Sequence, residues 1–438
     1  MLTLPTYITT YITTSPSHHL TIIKRRYMKI LLIGEASFLH NTLKKGLVER
    51  GHRVTTMSDG NGWHDAPRDI DLRRNLRWGK FGGLWVVWQL LRHLPQLCGN
   101  DVVQIHNYQF VPLMYRWNTL LLRFLKLTNR CVVKGCFGDD PQIFRRQAQG
   151  VPAYSDTYWS GQLQNTDQHR DRIAEVVEHG AEASWRKTTT MADALVPCLY
   201  EYWLDYNEPP YAAKLHYIPL PMECEKMVRW CDGEMVKCVC NGEMVRWCNG
   251  EMVRCVGNVT TSPSHPNNSQ LAPSHPITIL IGLQPKRDFM KGAMKIATFV
   301  EEVAHRHPGK VQIKYVEGVP YDEYMRLLAE ADVLVDQLYS YTPSMNSLAA
   351  MARGTVVIGG GEEEYYEFIG EDTLRPIINV RPDVPDEENI ATIERALFTD
   401  GMLERMQREG VEFVHKYHDY RHVAEQYEQL YRSLLAKG

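Results

Sequence analysis

The chain has 438 residues, 44% of them hydrophobic and 23% charged, with a formal net charge of −3. That length exceeds one ordinary hydrophobic core and predicts two domains, while the composition excludes a disordered chain. No apolar run approaches the ~20 residues that span a bilayer. No leader-like apolar stretch with a cleavage site opens the chain, so the expected compartment is the cytoplasm, where thiols stay reduced.

Residues 1–27 hold no patterned element and are expected to be a spurious or disordered extension, with Met28 as the natural start. "KILLIG" (29–34) reads as a buried strand, followed by a helix from about Leu39 to Arg50 and a strand in "GHRVTTMS" (51–58). "DVVQIHN" (101–107), "RCVVKGCFG" (130–138) and "KLHYIPLP" (214–221) predict three more strands, which gives a first domain over 28–221. Between Arg68 and Lys134 there are 11 basic residues against 3 acidic ones. The stretches 73–94 and 114–130 mix those arginines with Trp, Phe and Leu. They suit either basic helices packed on the sheet or a peripheral contact with anionic lipid through 73–130. No helix-turn-helix or finger pattern accompanies the basic charge, so nucleic acid is not an expected partner.

Residues 222–276 break the pattern. "MVRWCDGE" (227–234), "MVKCVCNGE" (235–243), "MVRWCNGE" (244–251) and "MVRC" (252–255) form a tandem array whose period is far below solenoid lengths. Its five cysteines are separated by six, one, seven and six residues, not by the paired C-x-x-C spacing of a zinc site. An eight-base DNA word read in triplets returns to frame every eight codons, which accounts for the period. "TTSPSH" also occurs twice, at 13–18 and 260–265. The insert is therefore expected to be translated simple-repeat DNA serving as a linker without strand or helix periodicity; unrelated codons in the gene would refute this.

The second half restarts with "ITILIG" (277–282), a helix at about 292–306, and strands in "VQIKYVEG" (311–318), "ADVLVDQL" (331–338) and "GTVVIGG" (354–360). It carries 18 basic and 27 acidic residues between Ile277 and Gly438. Alternating apolar runs and amphipathic stretches predict an α/β chain of two Rossmann-like, doubly wound parallel-sheet domains facing a cleft. The second domain spans 277–420, and the final helix, 421–438, is expected to cross back to the first.

Several of these motifs together resemble GT-B glycosyltransferases, in particular the family-4 or group-1 type. "MKILLIGEASFLHNTLKKGLVERGHRV" resembles their first strand, helix and Gly-His turn, and "FMKGAMKIATFVEE" the Lys-Gly start of their second domain. "ADVLVDQLYSYTPSMNSLAAMARGTVVIGGGEEEYYEFIG" matches their most diagnostic block. That family carries two glutamates separated by seven residues across this loop and helix; here the positions are Tyr341 and Ala349. The resemblance implies transfer of a sugar from a nucleotide-sugar donor to a cell-surface glycan or lipid-linked acceptor, as in polysaccharide biosynthesis. It also implies retention of configuration, no metal and no other cofactor, at the inner face of the membrane. A nucleotide- or sugar-binding pseudoenzyme and a nucleotide-sugar epimerase of the same shape are the alternatives.

The resemblance places Lys286, Arg287 and Lys291 at the donor diphosphate, whose departure gathers negative charge. Ser344, Asn346 and Ser347 can cap the following helix or hold a phosphate or sugar. Glu364 or Glu367, after three glycines, can hold sugar hydroxyls or simply face water. His106 and Asp139, at the ends of first-domain strands, are the candidate bases, and Gly34 and Ser37 the acceptor-side loop. "GEAS" departs from G-x-G-x-x-G, which argues against a dinucleotide cofactor.

Overall fold

The structure, a computed structural model, describes residues 27–60, 65–79, 81–164, 166–177, 180–224, 229–231, 234–239, 243–248, 251–254, 276–284 and 288–437. The expected extension, apart from Tyr27, lies outside these residues, as do Lys286 and Arg287.

In the first lobe the strands β1 (Lys29–Ile33), β2 (Arg53–Ser58), β3 (Ile70–Asp71), β4 (Val102–Ile105), β5 (Cys131–Cys136) and β6 (Ala194–Pro197) pair in parallel in the order β3-β2-β1-β4-β5-β6. Alternate residues of β1 serve opposite faces, as a strand's two-residue period requires. Ile30 and Leu32 pack with Leu43 and Leu47 of helix α1 (Leu39–Glu49). Leu31 and Ile33 pack with Val86 of α2 (Phe81–Arg92) and with Leu122 and Leu125 of α3 (Tyr115–Thr128). The expected last strand, 214–221, is not one. It makes a single bridge, Leu215 to Leu195, because Pro219 and Pro221 cannot donate to a ladder. The strand in its place is β6, only four residues long and followed by the short helix α4 (Tyr200–Tyr206).

The second lobe contains β7 (Ile277–Leu283), β8 (Val311–Glu317), β9 (Val333–Val335), β10 (Val356–Gly359) and β11 (Ile377–Asn379), parallel in the order β8-β7-β9-β10-β11. Helix α5 (Ala293–Arg306) buries Ile296, Phe299, Val300 and Val303 on one side of this sheet. Helix α6 (Met345–Met351) covers the other. The two strand orders place each lobe's topological switch point beside its first strand, between β1 and β4 and between β7 and β9. Ligands of open α/β sheets bind at such points, beyond the strand carboxyl ends.

The last helix, α7 (Tyr420–Lys437), returns to the first lobe and lies on α1. A Cβ on Gly46 would stand 2.6 Å from that of Ala424, so only glycine permits this approach. Tyr431 donates to Gln104 at 2.7 Å, and Glu428 pairs with Arg50 and Arg432. Met222 and Cys224 belong to the inter-lobe core, and Met222 bridges to Asp419, so the linker begins later than the sequence pattern suggested. The described parts of the insert form four antiparallel strands, Arg229–Cys231, Glu234–Val239, Glu243–Cys248 and Glu251–Arg254. This corrects the expectation of no strand periodicity. The repeat unit sets a β-compatible Met-Val-Arg-Trp-Cys run beside an Asp-Gly or Asn-Gly dipeptide, the strongest short hairpin signal.

Candidate functional site

A cleft of about 1940 Å³ lies between the lobes, with Ser37, Asp139 and Arg172 on one wall and Lys291, Asp336, Ser344 and Asn346 on the other. No helix among the described residues is long and apolar enough to cross a membrane.

On the second-lobe wall the organising group is Asp336, which follows β9 at the switch point and is almost fully buried. Ser344 donates to it at 2.5 Å, Ser347 donates to it as well, and the Asn346 amide lies 3.4 Å away. Lys291 Nζ stands 4.0 Å from its other oxygen. Ser344 also N-caps α6, accepting from the backbone N–H groups of Asn346 and Ser347. The structure thus brings together four residues singled out in the sequence, Lys291, Ser344, Asn346 and Ser347, but around a carboxylate that sequence reasoning missed. Asp336 sits inside an apolar run, and its position after the strand was the available signal. Lys291 remains 21% exposed and is the cation this cluster presents to the cleft.

Glu364 and Glu367 do not line the cleft. With Arg375 and Arg381 they border a separate cavity of about 460 Å³. Their neighbour Glu362 is the buried one; it accepts from Tyr154 of the first lobe at 2.5 Å, and burial pushes its carboxyl up. Tyr341, at the first missing glutamate position, is buried and stacked on Tyr154 with ring centroids 4.6 Å apart. Ala349, at the second, lines the cleft with no polar group to offer.

On the first-lobe wall Gly34 and His106 sit at the ends of β1 and β4, yet they face each other. A Cβ on Gly34, whose φ is +83°, would fall 1.8 Å from His106 Nδ1. That nitrogen is buried without a hydrogen-bond partner, and burial, reinforced by neighbouring His40, lowers the imidazole to about 3. His106 is therefore neutral and packs the switch point; a base working near neutrality needs a value closer to the working pH. Asp139 does reach the cleft but is held by Arg172, which also pairs with Asp156 at 3.0 Å. Burial opposes the Arg172 charge, and Asp139 and Asp156 more than offset it. Of the acceptor-side pair only Ser37 lines the cleft. Ser37 and Phe38 both hold left-handed backbone, φ 50° and 63°, a strained bend that turns this loop toward Tyr321 of the other lobe. Glu35, buried in the same loop, accepts from the N–H groups of Ala36, His40 and Asn41 and so fixes the start of α1.

Residues 289–429 match the family model described as glycosyl transferase-like. WaaG, a glycosyltransferase involved in lipopolysaccharide biosynthesis, superposes with a TM-score of 0.51 at 10% identity, covering 92% of this chain and 99% of that one. Sucrose-phosphate synthase from Thermosynechococcus elongatus gives 0.49 at 13% identity, covering 93% and 99%. A glycosyltransferase from Rickettsia africae ESF-5 gives 0.49 at 11%, covering 94% and 100%. No curated protein sequence matches the chain. The architecture is the GT-B fold that the family resemblance implied, built of the two parallel-sheet lobes that the alternating strand pattern predicted.

Proposed function

We infer from a GT-B frame whose second lobe matches the glycosyl transferase-like family model that this chain is a glycosyltransferase acting on a nucleotide-sugar donor. The observation that carries the reading is Lys291: a partly exposed ammonium at the second lobe's switch point, set against Asp336 and facing the cleft. As a sugar leaves a nucleoside diphosphate, charge collects on the phosphate oxygens, and a fixed cation there stabilises the transition state more than the ground state. Retention is the reading that goes with the family resemblance, and catalysis then rests on positioning and phosphate electrostatics, with no metal required.

The acceptor is read as a glycan or lipid-linked saccharide met at the inner face of a membrane. Phe81, Leu84, Trp88 and Leu91 of α2 and Met114, Trp117, Leu120 and Leu127 on and beside α3 are exposed, with Arg77, Arg92, Arg116 and Arg123 exposed beside them. Aromatic and leucine side chains ringed by arginine suit insertion at an anionic lipid surface. Tyr341 and Ala349 in place of two glutamates favour a second reading, a binding protein without turnover; an epimerase is the third.

Incubation with UDP-, GDP- and ADP-sugars separates the three. A transferase releases nucleoside diphosphate faster when a lipid-linked or free saccharide acceptor is added. An epimerase converts the donor alone, and a pseudoenzyme gives only a thermal shift with the nucleotide. Absence of both shift and turnover would overturn the donor reading.

A further inference from the structure

Helix α4 of the first lobe sends one carboxylate across into the second. Glu201, 8% exposed and at the edge of the cleft, accepts through Oε1 from the backbone N–H groups of Tyr341, at 2.9 Å, and Thr342, at 3.2 Å; the Ser340 hydroxyl lies 3.1 Å from the same oxygen. Its Oε2 accepts from the Thr342 hydroxyl at 2.5 Å, and that hydroxyl in turn accepts from the Tyr200 N–H at 3.0 Å. A carboxylate is buried at this depth only when its oxygens are satisfied, and here the donors come from a single loop of the opposite lobe.

The same loop is pressed from the other side. A Cβ on Gly360 would stand 1.5 Å from the Ser340 carbonyl oxygen, so the backbone at 340 lies directly on the exit of β10. Held between Gly360 and Glu201, the loop runs on to Ser344, which caps α6 and binds Asp336 beside Lys291. The position where the related family carries a glutamate is Tyr341, and its ring points to Tyr154. The loop therefore draws a carboxylate from the first lobe in place of one of its own.

We propose that Glu201 is a positioning residue of the donor site, holding the 340–344 loop from the first lobe so that nucleotide affinity in the second lobe depends on contact between the two. This rests on the donor reading above. The consequence is that donor binding and lobe closure are coupled through one side chain, so the first lobe tunes donor affinity without touching the nucleotide.

The test is calorimetric titration of the full chain with UDP, GDP and ADP in wild type, Glu201→Ala, Glu201→Gln, Thr342→Val and Tyr154→Phe. For whichever nucleotide binds, Glu201→Ala is expected to weaken affinity at least tenfold. Glu201→Gln should recover most of that, because its carbonyl oxygen still accepts the two N–H groups, and Thr342→Val should show an intermediate loss. Tyr154→Phe removes a different inter-lobe hydrogen bond and should leave affinity unchanged. In steady-state turnover the donor KM should rise while the acceptor KM holds. A merely structural Glu201 would lower Tm in all its variants and leave the Kd of the folded protein untouched, and that result would overturn the proposal. If Glu201→Ala does not fold, equal Kd values for wild type, Glu201→Gln and Thr342→Val would overturn it too. If wild type binds none of the three nucleotides, the donor reading falls and takes this inference with it.

Discussion

Replacing Lys291 by Met tests the donor site most directly, and Asp336→Asn tests it with the opposite sign. Lys291 Nζ is 4.0 Å from Asp336, and its side chain is 21% exposed while that of Asp336 is 3% exposed. In Lys291→Met the carboxylate keeps Ser344, Ser347 and Asn346 as partners, so stability should fall by less than about 1 kcal/mol. A diphosphate loses a charge-assisted hydrogen bond worth about 1.5–3 kcal/mol, which is roughly ten- to a hundredfold in Kd. Asp336→Asn keeps the volume and one acceptor for the helix cap but removes the charge that neutralises Lys291. Two hydroxyls lose a charged acceptor, so stability should drop by about 2 kcal/mol. Freed of a buried counter-charge about 4 Å away, Lys291 should bind diphosphate more tightly by at least about 1 kcal/mol, about fivefold or more. Calorimetric titration gives both Kd values and urea unfolding both stabilities. An unchanged Kd in Lys291→Met, or an Asp336→Asn loss as large as the Lys291 one, would refute Lys291 as the phosphate cation.

Gly34→Ala should destabilise by about 3 kcal/mol, from a left-handed alanine and overlap with His106, as read by urea unfolding. Adding His106→Ala should restore all but the ~1 kcal/mol of backbone strain, and a double variant no better than the single would sink the contact. Glu428 is pulled to about 2 because Arg50 and Arg432 outweigh the effect of its burial. A depressed carboxyl contributes stability that is present above its unfolded value of about 4.5 and is lost as pH falls toward 2. Glu428→Gln should therefore cost up to about 3 kcal/mol at pH 7 and almost nothing near pH 2, in paired unfolding curves. Replacing Leu84, Trp88 and Leu91 together by Ser should abolish flotation with phosphatidylglycerol vesicles at low salt while leaving the melting curve within a degree or two. Equal flotation of the triple variant would remove α2 as the lipid-facing surface.

Long apolar runs showed their identity without the structure. "KILLIG" and "ITILIG" open the two sheets because runs so dense in Ile and Leu, followed by amphipathic helices, have few other ways to be buried. Shorter elements were uneven: β9, with three residues, lies inside the expected strand 331–338, but β6, with four, was not legible, and 214–221 looked like a strand until its prolines met the missing ladder. In the Cys-rich repeat the signal for strands lies in the Asn-Gly and Asp-Gly pairs that mark hairpins, not in an apolar period.

Site residues were legible as positions but not as partners. Ser344, Asn346 and Ser347 stand on the cleft side, as their place before a helix implied, yet they bind a neighbouring carboxylate. Asp139 reaches the cleft, but Arg172, 33 residues away along the chain, has already claimed it. Glu201 lies 140 residues before Tyr341, the residue whose N–H it accepts. Each of these pairings joins residues from different elements; the first two form within a single lobe, and the Glu201 pairing exists only once the two lobes have been set face to face. A carboxylate missing from a motif therefore does not establish a missing carboxylate in the site, because a helix end in the opposite lobe can supply one. Here α4 does so for the loop at 340–342, where Glu201 holds the backbone beside Tyr341, whereas nothing among the described residues stands in for the second motif glutamate at Ala349.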